Sequence, residues 1–197
     1  MSEKADNKRQ LIIDKATEVF AQAGYRDVTM KDIVAACEIS RGGLYLYYNS
    51  TEELFLDVIK ARDEEEEEKN NNIIERLRVA GSAELLLWFL KEQKKEILKR
   101  KNSLSIAEYE YAFYCRENLH NSTSKQRFET ETQVLEKILV RGNENGEFIC
   151  DNPQAMATNM MYCIEGMKIN ARTMGISEAK VDKELVFLMR QFMEVEE

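Results

Sequence analysis

The sequence is poor in the residues that interrupt regular structure, since its 197 residues include one proline and eight glycines. Proline and glycine are common in turns and at the ends of strands, so their scarcity argues against a sandwich or barrel of many short strands. Glu, Lys, Leu, Ala and Met are abundant and favour helices. We therefore predict an all-α protein with about nine helices along the chain.

Long apolar runs are also missing. The longest run, from Leu85 to Leu90, is too short to cross a bilayer. The polar N-terminus, MSEKADNKRQ, lacks the apolar segment that a signal peptide needs. We expect a soluble, cytoplasmic protein with no membrane partner.

Patterns of metal-binding and catalytic residues are absent as well. The four cysteines show no C-x-x-C spacing and the single histidine is His120, so a zinc site or a disulfide framework lacks its usual pattern. The chain has no G-x-S-x-G motif and no phosphate-binding glycine loop. We expect no metal, no cofactor and no catalytic residues, and an enzyme is the less favoured alternative.

Positive charge is in short supply, because the formal net charge is −8. Such a balance argues against a nucleic-acid partner, since phosphate contacts supply most non-specific affinity. Residues 1–50, however, contain seven basic and seven acidic residues and are therefore neutral. Much of the acidity lies in the run from Asp63 to Glu68, which is typical of a solvated helix face. An N-terminal DNA-binding region remains compatible with this distribution.

Helix signals are closely spaced near the N-terminus. Thr29 and Asp32 form a capping-box pattern at the second predicted helix, and Ser50 and Glu53 form another at the fourth. Ser40 is the N-cap candidate of the third helix. Four helices within about sixty residues, two of them short, predict a helix-turn-helix unit. The first helix carries an apolar stripe of Ile12, Ala16, Val19, Phe20 and Ala23.

The third predicted helix begins with Arg41, Gly42 and Gly43. Each glycine inside a helix costs about 1 kcal/mol relative to alanine, so a compensating role is expected. The second helix of a helix-turn-helix lies in the major groove, where glycine lets the backbone approach closely and leaves Arg41 free to bind a guanine edge. The alternative is that glycines in a first turn cost less and have no function. Leu44 and Tyr48 are expected to face the core.

The sequence resembles the TetR family of bacterial transcriptional regulators through I-I-D-K-A-T-E-V-F-A-Q-A-G-Y at 12–25 and T-M-K-D-I-V-A-A-C-E-I-S-R-G-G-L-Y-L-Y-Y-N-S-T-E-E-L at 29–54. The resemblance implies a helix-turn-helix domain at 1–50 and a helical effector-binding and dimerisation domain at 51–197. It implies base contacts from the third helix and phosphate contacts around it. The candidate DNA-binding residues are Thr29, Ser40, Arg41, Gly42, Gly43, Tyr45, Leu46, Tyr47, Asn49 and Thr51.

Two positions depart from the family pattern. Glu38 stands in the turn before the third helix, where the family commonly has glycine, so the backbone there must tolerate a side chain. Thr51 stands at the start of the fourth helix, where the family commonly has a lysine that meets a DNA phosphate. Weaker charge contact is expected at that point, with Thr51 as a neutral donor.

The C-terminal segment carries two further sets of candidate residues. The last two helices are expected to pair with those of a second subunit, or else to be plain core helices; the set is Met156, Met160, Ile164, Leu185, Leu188, Met189 and Phe192. Apolar and aromatic residues are candidates for an effector pocket, with ordinary core packing as the alternative; this set is Trp88, Tyr109, Phe113, Tyr114, Phe128, Met160 and Met167. Glu108, Glu110 and Glu165 either select a cationic ligand or face solvent.

These features together predict a repressor that binds a palindromic operator as a homodimer and is released by a small hydrophobic effector. A DNA-binding protein with no ligand, whose C-terminal domain only dimerises or contacts proteins, is the alternative.

Overall fold

The computed structural model describes residues 3–76, 79–99, 103–115 and 123–193. Within these ranges the chain forms nine α-helices, which confirms the predicted all-α class. None of these helices is long and apolar enough to cross a membrane. The helices are α1 (Glu3–Ala23), α2 (Met30–Cys37), α3 (Arg41–Tyr45), α4 (Thr51–Arg76), α5 (Ser82–Leu98), α6 (Ser105–Tyr114), α7 (Thr123–Glu144), α8 (Pro153–Thr173) and α9 (Glu178–Met189).

The helices are grouped into two compact units. Unit 1 takes in the described residues of Met1–Glu65 and Lys101–Lys125, and therefore holds α1, α2, α3, α6 and the first part of α4. Unit 2 takes in those of Glu66–Arg100 and Gln126–Glu197, with the rest of α4, α5, most of α7, α8 and α9. The division into domains 1–50 and 51–197 stays a prediction. Helix α6 belongs to the same compact unit as the helix-turn-helix segment.

The core of unit 1 forms where the apolar stripe of α1 meets α2, α3 and α4. Ile12, Ala16 and Phe20 are fully buried, as the helical spacing predicts. Ala23, at the end of the stripe, is exposed because α1 terminates there, and Gly24 follows with a φ of +81°. Glycine adopts this left-handed conformation without the steric cost that a side chain adds.

The turn between α2 and α3 contains a non-glycine residue in the left-handed conformation. Glu38 has φ 53° and ψ 37°, and its N–H bonds the carbonyl of Ala35 at 3.3 Å. An L-residue pays about 1–2 kcal/mol for this conformation. The backbone therefore accommodates a side chain at Glu38, where the family commonly has glycine, but the Glu38 backbone is strained.

Helix α6 is fastened to the rest of unit 1 by two carboxylates. Glu110 accepts the backbone N–H of Tyr25 at 2.7 Å and that of Arg26 at 3.1 Å, so it caps the turn after α1. Glu108 is buried and accepts from Arg62 Nη1 at 2.6 Å. Both carboxylates are engaged within unit 1, so a solvent-facing position is wrong for Glu108.

Helices α5, α7, α8 and α9 enclose the core of unit 2. The apolar run of α5 from Leu85 to Leu90 is not buried on every side, because Leu87 is 46% exposed and gives this helix one solvent face. Asn152 caps α8 by accepting the N–H of Ala155 at 3.0 Å, and Pro153 occupies its first turn. Ser177 caps α9.

The segment R-G-N-E-N-G-E-F, at 141–148, begins as helix because α7 continues to Glu144. The turn itself is made by Gly146, at φ +71°. Glu147 then accepts the N–H groups of Ser82 at 3.0 Å and Ala83 at 2.9 Å, which caps α5. Phe148 lies against Gly142, where any Cβ would overlap its ring. The segment after α7 is therefore bound by hydrogen bonds to the N-terminus of α5.

Candidate DNA-binding surface and effector region

Helix α3 is short and is held in place from its inner side. Ser40 accepts the N–H of Gly43 at 3.1 Å, which confirms the predicted N-cap. Leu44 and Tyr48 are almost completely buried, at 0% and 1% exposure, as the helical wheel predicts. These two anchors fix which face of α3 points to solvent.

Arg9 and Asp57, which the sequence did not single out, hold Tyr48 from either side. Arg9 Nε donates to the Tyr48 hydroxyl at 3.3 Å, and that hydroxyl donates to Asp57 Oδ2 at 2.9 Å. Burial raises the pKa of Tyr48 to about 12. The hydrogen bonds tie the end of α3 to α1 and α4. No local sequence pattern marks this contact, because its members are far apart along the chain.

The solvent-facing side of α3 presents one cation, one aromatic ring and one aliphatic side chain. Arg41 is exposed, and its guanidinium Cζ lies 5.4 Å from the centre of the Tyr45 ring. Such a contact favours a defined direction for the cation. Tyr45 is 39% exposed and Leu46 is 84% exposed. The structure thus brings together four predicted base-contact positions on one surface: Arg41, Gly42, Tyr45 and Leu46.

The two glycines of α3 differ in their surroundings. A Cβ on Gly42 would meet no atom within 4 Å, so the fold itself has room for a side chain there. A Cβ on Gly43 would lie 3.1 Å from Ser40 Oγ, the atom that caps the helix. A side chain at position 43 would therefore crowd the helix cap, whereas none of the described residues requires glycine at position 42.

Thr29, a predicted phosphate contact, is engaged with Asp32. Its N–H donates to Asp32 Oδ2 at 2.9 Å and its hydroxyl donates to the same oxygen at 2.6 Å. These hydrogen bonds lower the pKa of Asp32. The Thr29–Asp32 pairing was expected as a helix cap, and the hydroxyl proton is already used within it.

Asn49 and Thr51 lie where α4 begins. Ser50 Oγ accepts the N–H of Glu53 at 3.1 Å, which gives half of the predicted capping box. The carboxylate of Glu53 bonds instead to the N–H of Asn49 at 2.8 Å and to its Nδ2 at 3.2 Å. Thr51 is half-buried, as is Tyr47. The predicted neutral donors are present, but Asn49 shares its donors with a carboxylate.

The seven candidate effector residues are divided between the two units. Tyr109, Phe113 and Tyr114 lie on α6 in unit 1, and the last two are 65% and 63% exposed. In unit 2, Met160 and Met167 are buried on α8, and Trp88 and Phe128 pack at the edge of the core. The pocket stays a prediction.

Unit 2 also contains buried polar groups that sequence patterns missed. Gln93 Nε2 donates to Glu131 Oε2 at 3.1 Å, and both side chains are buried. Burial raises the pKa of Glu131. Lys168 is buried as well and pairs with Glu165 at 2.7 Å, so Glu165 is engaged within unit 2. In the sequence Glu131 stands among other polar residues of the same helix, so its spacing does not indicate that its side chain is buried.

The candidate dimer residues are mostly committed to their own protomer. Six of them are at most 8% exposed in the core of unit 2, and Met156 is half-buried; the six are Met160, Ile164, Leu185, Leu188, Met189 and Phe192. For these six side chains the core alternative describes the structure. The same two helices expose other apolar residues, namely Tyr162 at 66%, Ile169 at 46% and Phe187 at 64%.

Two family models match the chain in separate segments. The model described as bacterial regulatory proteins, tetR family, matches residues 12–58, which cover most of α1, all of α2 and α3 and the start of α4. The model described as tetracyclin repressor-like, C-terminal domain, matches residues 85–182.

Comparison with known proteins gives the same picture over longer stretches. YfiR of Bacillus subtilis (strain 168), an uncharacterized HTH-type transcriptional regulator, is 29% identical over 147 residues, which cover 74% of this chain and 70% of YfiR. The HTH-type transcriptional regulator QacR of Staphylococcus aureus is 23% identical over 200 residues and is matched over 96% of both chains. A transcriptional regulator from Saccharomonospora viridis, solved in complex with choline, superposes with a TM-score of 0.77 at 17% identity, over 96% of this chain and 100% of that one. At this identity the last match shows the fold alone.

Proposed function

The chain belongs to the TetR family of bacterial transcriptional regulators, and we propose that it is a repressor that binds a palindromic operator as a homodimer. In this proposal a small hydrophobic effector releases it from DNA. The observation that carries the DNA-binding part is the solvent-facing side of α3, where Arg41, Tyr45 and Leu46 surround a glycine that the fold does not require.

Arg41 is the candidate for direct recognition of a base. Its guanidinium is exposed and directed by the Tyr45 ring, and arginine binds the O6 and N7 acceptors of guanine with two hydrogen bonds. Gly42 leaves the backbone beside it bare, which lets α3 enter the major groove closely. Tyr47, Asn49 and Thr51 are the candidate neutral phosphate donors, consistent with a neutral N-terminal region, whereas the Thr29 hydroxyl donates to Asp32.

The proposed dimer forms through the exposed apolar residues of α8 and α9. Tyr162 and Ile169 are seven residues apart on α8, with Gly166 between them, and thus share one face of the helix. A Cβ on Gly166 would meet nothing within 4 Å, so a partner helix can approach there. Phe187 adds an exposed ring on α9. A symmetric dimer presents its two α3 helices to half-sites about 34–36 Å apart, or a multiple of this spacing.

The proposed effector binds among the apolar and aromatic residues of the C-terminal segment. Trp88 and Phe128 lie at the edge of the core of unit 2, where an apolar ligand can replace solvent. A structural neighbour from Saccharomonospora viridis was solved in complex with choline, which supports testing small organic cations as effectors. The effector must bind the DNA-competent and DNA-incompetent states with different affinity, because otherwise no switch follows. Helix α4, whose residues are divided between both units, is the candidate for transmitting the change.

The effector part is tested by thermal unfolding of the purified protein against a set of lipophilic cations. A bound cation is expected to raise Tm and to weaken operator binding, and Phe128→Ala is expected to reduce both effects. Val140→Ala, which truncates an exposed residue of the same helix, is the matched control. If no compound raises Tm, or if a bound compound leaves operator affinity unchanged, the constitutive alternative is favoured.

The relatives are all named transcriptional regulators, and we infer that this protein is likewise not an enzyme and acts in the cytoplasm. Turnover of any bound effector would contradict this inference. The DNA-binding part is tested by selecting genomic fragments with the purified protein. Recovery of a shared palindrome supports it, and recovery of fragments without a common sequence opposes it.

A further inference from the structure

Leu46 is the large apolar side chain of unit 1 that is least covered by the protein around it, among the described residues. It is 84% exposed, whereas Tyr45 next to it is 39% exposed and Leu44 is fully buried. Its backbone is fixed, because its N–H donates to the carbonyl of Gly42 at 3.2 Å. The side chain is therefore held on an ordered turn in contact with water.

Leu46 lies one helical turn after Gly42, on the same face of α3. Leu46 is the C-cap of α3, and residues four apart along a helix lie on the same side of it, so Leu46 and Gly42 share one side of this segment. A Cβ at Gly42 would meet nothing within 4 Å, so this part of the surface is bare. The two residues together form a shallow apolar step, defined here as the Leu46 side chain and the exposed backbone of Gly42.

The neighbours of the apolar step indicate what covers it. Arg41 and Tyr45 flank it, and the exposed guanidinium favours a polyanion over an apolar protein surface. An aliphatic side chain cannot hydrogen-bond a base edge. Among the four bases, only thymine presents a methyl group in the major groove, and aliphatic contact with that methyl is a recognised means of selecting it.

We propose that Leu46 contacts the C5-methyl group of a thymine in each operator half-site and so helps determine which sequence is bound. The proposal rests on the operator binding proposed above and adds a chemical requirement to it. Arg41 selects a guanine through hydrogen bonds, and Leu46 selects a nearby thymine through a methyl group. Since burial of one methyl-sized group changes affinity about fourfold, a symmetric operator should lose about fifteenfold when both methyl groups are removed.

The test replaces thymines of the selected operator, one symmetric pair at a time, with deoxyuridine, which lacks only the methyl group. One pair is expected to weaken binding of the unaltered protein by about fifteenfold. The same replacement is expected to have little effect on Leu46→Ala, because its side chain no longer reaches the methyl. Leu87→Ala, which truncates an exposed leucine of α5, should retain the full deoxyuridine effect.

The possible results distinguish failure of the thymine contact from failure of the proposed operator binding. If the protein binds its operator tightly but no deoxyuridine pair weakens it, the thymine contact is wrong while the proposed function stands. If one pair weakens the unaltered protein and Leu46→Ala equally, another residue contacts that methyl and the assignment to Leu46 fails. If no operator can be selected at all, the proposed function itself fails. Circular dichroism of Leu46→Ala confirms that the variant is folded.

Discussion

Gly42→Ala separates the requirements of folding from those of DNA binding, because the structure predicts opposite effects on the two. The added methyl group meets no atom of the protein within 4 Å, so it introduces no clash. Replacing glycine by alanine in a helix stabilises it by about 0.5–1 kcal/mol. For a chain of this size, a gain of 1 kcal/mol raises Tm by about 2–4 °C.

On DNA, the same methyl group projects from the surface that is proposed to enter the major groove. It would hold the backbone of α3 away from the bases and lengthen the hydrogen bonds of Arg41. Losing one well-placed base contact costs about 1–3 kcal/mol, so operator affinity should fall about 5- to 150-fold for each half-site of the operator. Fluorescence anisotropy with a labelled operator measures this loss, and thermal unfolding measures the gain in stability.

Gly43→Ala is the matched control, because its Cβ would lie 3.1 Å from Ser40 Oγ and disturb the helix cap. This variant should gain less stability than Gly42→Ala, because Ser40 Oγ must shift by a few tenths of an ångström to make room. Operator binding by Gly42→Ala as tight as that of the unaltered protein would contradict this role of Gly42, since close approach of the backbone would then be unnecessary. A lower Tm for Gly42→Ala would also contradict this role, since the position would then have a packing role.

Four further predictions follow from single residues. Glu38→Gly relieves the left-handed conformation at φ 53° and should raise the free energy of unfolding by about 1 kcal/mol in urea titrations, with operator affinity unchanged; a loss of stability would contradict the assigned strain. Gly142→Ala forces a methyl group into the Phe148 ring and should cost about 1–3 kcal/mol in the same measurement, so an unchanged value would oppose the packing described. Phe187→Asp should convert the dimer to a monomer in light scattering and abolish tight operator binding, and a stable dimer would exclude this residue from the interface. Hydrogen bonds from Thr29 lower the pKa of Asp32. The stability from this contact is therefore present above the ordinary Asp pKa of about 3.9 and is lost as pH falls through the lowered pKa. Asp32→Asn should remove this part of the dependence of unfolding free energy on acid pH.

Local signals in the sequence were sufficient for the helices and their caps. The spacing of Ile12, Ala16 and Phe20 predicted a buried stripe, and these residues are fully buried. Ser40 caps α3 where predicted, because an N-cap depends on hydrogen bonds to residues two or three positions away. The same local reasoning separated Leu44 and Tyr48, which are buried, from Leu46, which is exposed.

Contacts between distant segments were not predictable in this way. Glu110 caps a turn 85 residues earlier in the chain, and no pattern near Glu110 indicates that partner. The apolar residues of α9 illustrate the same limit, because Leu185 and Leu188 are buried while Phe187 is exposed. Periodicity indicates that a helix has an apolar face, but only packing decides which apolar residues remain for a partner. For this reason the candidate dimer residues were mostly core residues.

The most direct test of the account is the binding of the unaltered protein and of Arg41→Ala to the selected operator and to variants carrying each possible base pair at every position. We expect saturation at two protomers per operator, a loss of about 1–3 kcal/mol in each half-site for Arg41→Ala, and relaxed preference at one symmetric base pair only. Unchanged affinity of Arg41→Ala, or an equal loss on every sequence with no position relaxed, would contradict recognition of bases through α3.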